Sequence, residues 1–215
     1  MKENLPATST PWPVNSSFTP FSSTPVTEDC LDKIFEIARM SPSGWDFHPW
    51  RWIVVKNETG KRELESSTYI KVPLSSAPVV LVCLADTLAW KTAPQHLQEM
   101  VRDQKLSEED AREVLGRIRQ HYSASPELAK RAALANAFAA LHEVLLAAVH
   151  CKLSGNWITE FNEERIKTFF NIPDQFIVAA LVALGHREEP APAVRGPSLR
   201  SFIYRDKFGQ AFARK

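Results

Sequence analysis

The sequence predicts a mixed α and β fold, a sheet flanked by helices, on three observations. Two short continuous apolar runs, Val79 to Ala85 and Phe176 to Leu184, have the length and β-branched content of strands covered on both faces. Between them, Ala129 to Val149 is rich in alanine and apolar nearly all round, as a central helix buried on most faces would be. Segments of helical periodicity separate the strands. The residues leave open whether the class is α/β or α+β.

Taken in order, residues 1–24 read as an extended arm that could lie on a partner subunit. Met1 to Pro20 is rich in Pro, Ser and Thr and has no apolar core of a signal peptide. Thr27 caps a first helix, with Glu28 and Asp29 in its first turn and Leu31, Ile34, Phe35 and Ala38 on one face. Met40 to Gly44 stops it. Trp50 to Val55 reads as a strand and Lys61 to Ser66 as a short helix. From about residue 88 to 122 the chain turns charged and helix-forming, with Ser107 and Asp110 as a helix start, a helical insertion shaped like a lid or a peripheral excursion. Ser125-Pro126-Glu127 opens the long helix with a cap and a proline in the first turn. Ser154 to Phe161 reads as a loop, Glu163 as the start of a short helix, and Ser201 to Tyr204 as a last short strand.

Composition narrows the function. At 215 residues, 25–215 fits one domain large enough to bury its core without a metal or disulfide staple. A net charge of +1 offers no field for nucleic acid and no polybasic membrane patch, and no apolar run is expected to span a bilayer. Cys30, Cys83 and Cys151 lack CxxC spacing and sit in apolar stretches, so they read as buried core thiols in a reducing, cytoplasmic compartment. With seven glycines against fifteen prolines and no P-loop or dinucleotide fingerprint, phosphate-cradling glycine chemistry is disfavoured. His142-Glu143 opens like a zinc HExxH, but Leu146 stands where the second histidine belongs. Metal ligation is not expected.

The segment Ser41 to Val55 is where chemistry concentrates. A Pro/Ser/Gly turn and a polar pair, Asp46 and His48, stand immediately before an aromatic strand. Pro42 fixes the backbone, Gly44 permits close approach, and Asp46 and His48 offer polar groups not expected to satisfy one another. The same residues equally read as a helix stop followed by a buried strand.

This segment resembles the signature A-P-S-A/G-x-N-x-Q-P-W-R-F of the nitroreductase family. Pro42, Ser43, Gly44, Pro49, Trp50 and Arg51 match it, while Ser41, Asp46 and His48 stand for Ala, Asn and Gln. Two further stretches agree in order and spacing: Leu145 to Ala148 with Leu153 and Trp157-Ile158, and Ile172-Pro173 through Ala183 to Gly185. The resemblance implies an α+β fold with a mostly antiparallel central sheet flanked by helices, in an intertwined homodimer that holds FMN at its interface. It implies an oxidoreductase passing hydride from NAD(P)H to flavin and on to a small nitroaromatic or quinone-like acceptor, by a ping-pong mechanism. Pro42, Ser43, Gly44, Asp46 and His48 would touch the ribityl chain and ring, and the backbone from Trp157 through Ile158 and Thr159 to Glu160 would face flavin N5 and O4.

The family's N-terminal R-x-S-x-R, which grips the FMN phosphate, has no arginine counterpart here. The matching stretch is about Asn15 to Thr19, where Ser17 keeps a hydroxyl. Arg195 and Arg200 are placed to supply that charge, or else belong to a solvated basic C-terminal segment. The lost arginines, with Lys152, Ser154 and Glu160 in place of glycines, keep a runner-up in play beside the enzyme: a degenerate member that binds a flavin or other ligand without catalysis.

Overall fold

A computed structural model describes residues 20–187, 198 and 201–212. Ser17, Arg195 and Arg200, and most of the expected N-terminal arm, lie outside the described residues. The chain runs α1 (Glu28–Ala38), β1 (Trp50–Val55), α2 (Glu58–Ser67), β2 (Val79–Asp86), α3 (Ala93–Arg102), α4 (Glu108–Ala124), α5 (Pro126–His150), β3 (Ser154–Ile158), α6 (Glu163–Phe170) and β4 (Phe176–Gly185).

Side chains meant for helix starts do that work. Thr27 accepts from the Cys30 N–H, Ser107 from Asp110, Ser125 from Leu128 and Asn162 from Arg165, each satisfying an amide that has no partner inside its helix. Asn171 ends α6 at φ 52°, a left-handed stop that asparagine tolerates better than most residues.

The four strands pair in the order β1-β2-β4-β3, every pairing antiparallel, so the fold is α+β. The strands β2 and β4 are central and almost wholly buried, which is why they read as unbroken apolar runs. Alternate residues feed two cores. Val79, Leu81, Cys83, Val182 and Leu184 pack beneath α1 and α5, while Val80, Val82, Leu181 and Ala183 pack against Leu64 of α2 and Ile166 of α6. The register slips between Cys83 and Leu84, where a bulge turns both Ala179 and Ala180 toward the α5 side. A third, smaller cluster joins α3 and α4 through Ala93, Leu97 and Ile118.

Four expectations change. Ser154 to Phe161 is not a loop: its first five residues form edge strand β3, paired to β4 from Ser154↔Gly185 to Ile158↔Leu181. Serine, glycine and asparagine carry little strand preference, so the partner strand decides the matter. Glycine suits this position, since a Cβ on Gly155 would fall 2.4 Å from Leu145 Cδ2 and 2.9 Å from Leu184 Cδ2 and force those side chains to shift. Ser201 to Tyr204 is not a strand but makes one isolated bridge, Tyr204↔Ala211. The helix α5 is long and apolar enough to cross a membrane by composition, against the expectation of no such run. Its apolarity is explained by Ala137, Ala140, Leu141, Val144 and Ala148, all buried over the sheet. Finally, Cys83 is a buried core thiol as expected, but Cys30 and Cys151 are only half-buried.

Candidate functional site

The turn after α1 is built from the expected residues, in an unexpected way. The left-handed backbone falls on Trp45 (φ 56°), Asp46 (φ 58°) and His48 (φ 44°), not on Gly44. Aspartate visits this region with modest cost, but a bulky tryptophan does not. Each such residue costs on the order of 1–3 kcal/mol, so the surrounding structure must hold the turn in place.

That restraint is visible. The Ser43 hydroxyl accepts from the His48 N–H at 3.0 Å, and the Gly44 N–H donates to Asn136 Oδ1 of α5 at 3.1 Å. Arg51 Nη1 donates to the carbonyls of His48 (2.9 Å) and Trp50 (2.7 Å), tying the turn to the strand that follows. Asp86, at the end of β2, lies 4.0 Å from Arg51 Nη2 and accepts from Gln175. The imidazole of His48 rests edge-on against Trp50. Phe47 meets Tyr122 edge-on, and Tyr122 stacks on Trp90, so the helical stretch after β2 leans on the turn; burial pushes the Tyr122 phenol up from its ordinary value.

One expectation about the turn is overturned. Asp46 and His48 do satisfy one another, with His48 Nε2 3.1 Å from Asp46 Oδ1. A third group joins them: His96 of α3 places Nε2 3.9 Å from Asp46 Oδ2. Five residues before Asp46, the Ser41 hydroxyl is buried without a hydrogen-bond partner among the described residues. Gly44 is exposed and has room for a side chain, since among the described residues the nearest neighbour of a Cβ there would be Asn136 Nδ2 in ordinary contact at 4.0 Å.

The second expected segment lies elsewhere. Trp157 stands half-exposed on edge strand β3, against Phe138 of α5 with ring centroids 6.1 Å apart, and Ile158 is buried in the core. Asn136, which holds the turn, and Phe138, which meets Trp157, are two positions apart on α5 and so point about 200° apart around the helix. The turn flanks α5 on the β1 side and Trp157 on the β3 side. Within one protomer the two segments are therefore not brought together. The Thr159 N–H is already engaged, donating to Glu160 Oε2 at 3.2 Å, while the Glu160 carbonyl accepts from Tyr69 N–H.

A flavin fits the first segment on structural grounds. An exposed glycine leaves room beside a strained turn that presents polar side chains, and the Ser41 hydroxyl just before it has no hydrogen-bond partner among the described residues. It fits the second only if the Glu160 carboxylate releases the Thr159 amide. Asn136 and His96 escaped the sequence reading. Asn136 is the lone amide in an otherwise alanine-rich apolar helix, which was a signal; nothing in sequence connects His96 to a turn 48 residues earlier.

Residues 17–186 match the family model described as the Nitroreductase family. A Thermus thermophilus protein named NADH dehydrogenase is 31% identical over 182 residues, covering 84% of this chain and 87% of its own length. The fold is similar to a nitroreductase-like protein from Streptococcus mutans, with TM-score 0.81, 18% identity and coverage of 92% of this chain and 97% of that one. A protein from Exiguobacterium sibiricum solved in complex with FMN gives TM-score 0.72 at 20% identity, over 83% of this chain and 87% of its own. A family match across most of the sequence, a relative at this identity and the antiparallel α+β sheet agree: the chain belongs to the nitroreductase family.

Proposed function

We propose that this protein is an FMN-dependent oxidoreductase. It takes hydride from NADH or NADPH and delivers it to a small oxidised acceptor, nitroaromatic or quinone-like, with donor and acceptor alternating at one site in ping-pong fashion. The observation that carries the reading is the turn 42–48, held at three left-handed non-glycine residues by Ser43, Asn136 and Arg51. Strain maintained against its own cost beside an orphaned buried hydroxyl is what a preformed ligand cradle requires. The FMN of the Exiguobacterium protein and the NADH in the name of the Thermus relative support the choice of cofactor and donor.

When bound, FMN supplies the hydride chemistry. The chain's own part is to bind, orient and tune. Pro42, Ser43 and Gly44 keep the backbone close to the ligand. An ionised Asp46 can only accept, so it suits ribityl hydroxyls or the flavin N3–H. His48, a neighbour of Asp46, offsets its charge when protonated. Thr159 N–H, once freed from Glu160, becomes a donor beside Trp157 and Ile158. Ser17, Arg195 and Arg200 are proposed to hold the phosphate. Because the turn and Trp157 flank opposite sides of α5, a shared site needs the turn of a second copy, so the working unit is proposed to be a soluble, cytoplasmic homodimer. A second reading, a non-catalytic binding member, is favoured by the Thr159–Glu160 bond, which closes one half of the site.

Colour separates the two. The purified protein should be yellow, carry one FMN per chain, bleach under anaerobic NADH or NADPH, and run as a dimer in light scattering. A colourless monomer that cannot be reconstituted with FMN overturns the proposal.

A further inference from the structure

Cys30 and Cys151 are 121 positions apart in sequence and neighbours in space. Cys30 sits in the first turn of α1, its N–H bonded to the Thr27 cap, and Cys151 is the residue that ends α5. The Cys151 thiol donates to the Cys30 carbonyl oxygen at 3.8 Å, which sets the two cysteines side by side. Both are half-buried, and both line an open cleft of about 880 Å³ between α1 and α5, whose wall carries Lys33 and His150 and the carboxylates Asp29, Asp32 and Glu36. The third thiol, Cys83, is sealed in the core beneath Ala137. One thiol in the chain is therefore inert, and two form an accessible pair.

We propose that Cys30 and Cys151 are a redox-modification site, closed to an intramolecular disulfide by hydroperoxides and reopened by dithiols. Burial and the neighbouring Cys151 thiol push Cys30 up to about 12, with Lys33 pulling the other way, so Cys30 is the slower thiol to react first and suits the resolving role, giving up its proton as it attacks. Cys151, at the C-terminal end of α5 and on the cleft wall, is taken as the sulfur that meets the oxidant, reacting as its thiolate. Its thiolate attacks one peroxide oxygen, the O–O bond breaks, and the departing oxide takes a proton and leaves as water or alcohol. The resulting Cys151 sulfenic acid is attacked by the Cys30 sulfur. The S–S bond forms as the S–O bond breaks, and hydroxide leaves with the Cys30 proton as water. Two thiols lose two electrons and the peroxide gains them. The bridge joins the start of α1 to the end of α5, two helices that cover the same face of the sheet. It would limit the unfolded chain through a very long loop.

The test uses the full chain treated with a small excess of hydrogen peroxide, then alkylated under denaturing conditions and mapped by mass spectrometry. The expected result is one alkylated thiol, Cys83, with a Cys30–Cys151 bridged peptide and an intact mass lower by two hydrogens, reversed by dithiothreitol. The oxidised protein should melt higher by roughly 5–10 °C. Cys30→Ser and Cys151→Ser should each abolish that gain; in Cys30→Ser, Cys151 should run on to sulfinic acid. Three alkylated thiols after peroxide would overturn the proposal, as would sulfinic acid at Cys151 in the unmutated chain or a bridge between two chains. None of these readouts depends on bound FMN, so failure here leaves the flavin proposal standing.

Discussion

Two glycines, in the two segments matched to the family signature, are small for opposite reasons. Gly155 on β3 is pressed by its own protein, with no room for a Cβ between Leu145 and Leu184. Gly44 in the turn is crowded by none of the described residues, a Cβ there meeting Asn136 only in ordinary contact. The same contrast extends outward. The turn is strained, restrained and left with an unpartnered Ser41 hydroxyl, whereas the β3 segment runs into a backbone amide already capped by Glu160. A glycine needed for packing serves the fold. A glycine with room to spare, beside a turn held at a cost, points to something outside the chain.

The largest expected effect comes from filling the open glycine. Gly44→Leu should leave the melting temperature nearly unchanged and weaken FMN binding by about 100-fold, roughly 2.7 kcal/mol. Full flavin content in the purified variant would reduce the turn to a helix stop. Filling the closed glycine should do the reverse. Gly155→Ala should destabilise the fold by about 1–3 kcal/mol through overpacking, read as a lower denaturant midpoint, and touch FMN affinity only through the fold. A neutral Gly155→Ala would mean that Leu145 and Leu184 yield easily, and the contrast between the glycines would collapse.

The smaller effects sharpen the contrast at each segment's polar group. Glu160→Gly frees the Thr159 N–H and should tighten FMN binding by about 2- to 10-fold, near the net worth of one hydrogen bond. Titration of apoprotein with FMN measures it directly, and weaker binding would show that the carboxylate helps the site. Asp46→Asn should leave FMN bound and raise the flavin potential by roughly 10–30 mV, because a negative charge opposing the reduced ring is removed. Potentiometry that found the potential lowered would place the carboxylate away from the ring.

Much of this was legible because local chemistry carries it. The capped helix starts at Thr27, Ser107 and Ser125 are sequence facts, since a side chain three residues from an orphan amide needs no tertiary partner. The strands β2 and β4 are legible because burial on both faces leaves an unbroken apolar run. The turn was legible too, through Pro42, Gly44 and the resemblance they carry. The conformation of that turn was not. Trp45, Asp46 and His48 take the left-handed backbone, because Asn136, 92 positions from Gly44, and Arg51 fix the chain around them.

By itself, the sequence determined where α1, α4, α5 and α6 begin, which strands are buried on both faces, and the family to which the chain belongs. These follow from periodicity, capping and a matched motif, all of short range. Only the tertiary structure decided that Ser154 to Ile158 is a strand, since its weak strand formers take their conformation from pairing with β4. It alone decided that Asp46 faces both His48 and His96, that Glu160 caps the Thr159 amide, and that Cys30 meets Cys151 while Cys83 is sealed away. Contacts between residues far apart along the chain depend on which faces pack together, and no local pattern encodes that choice.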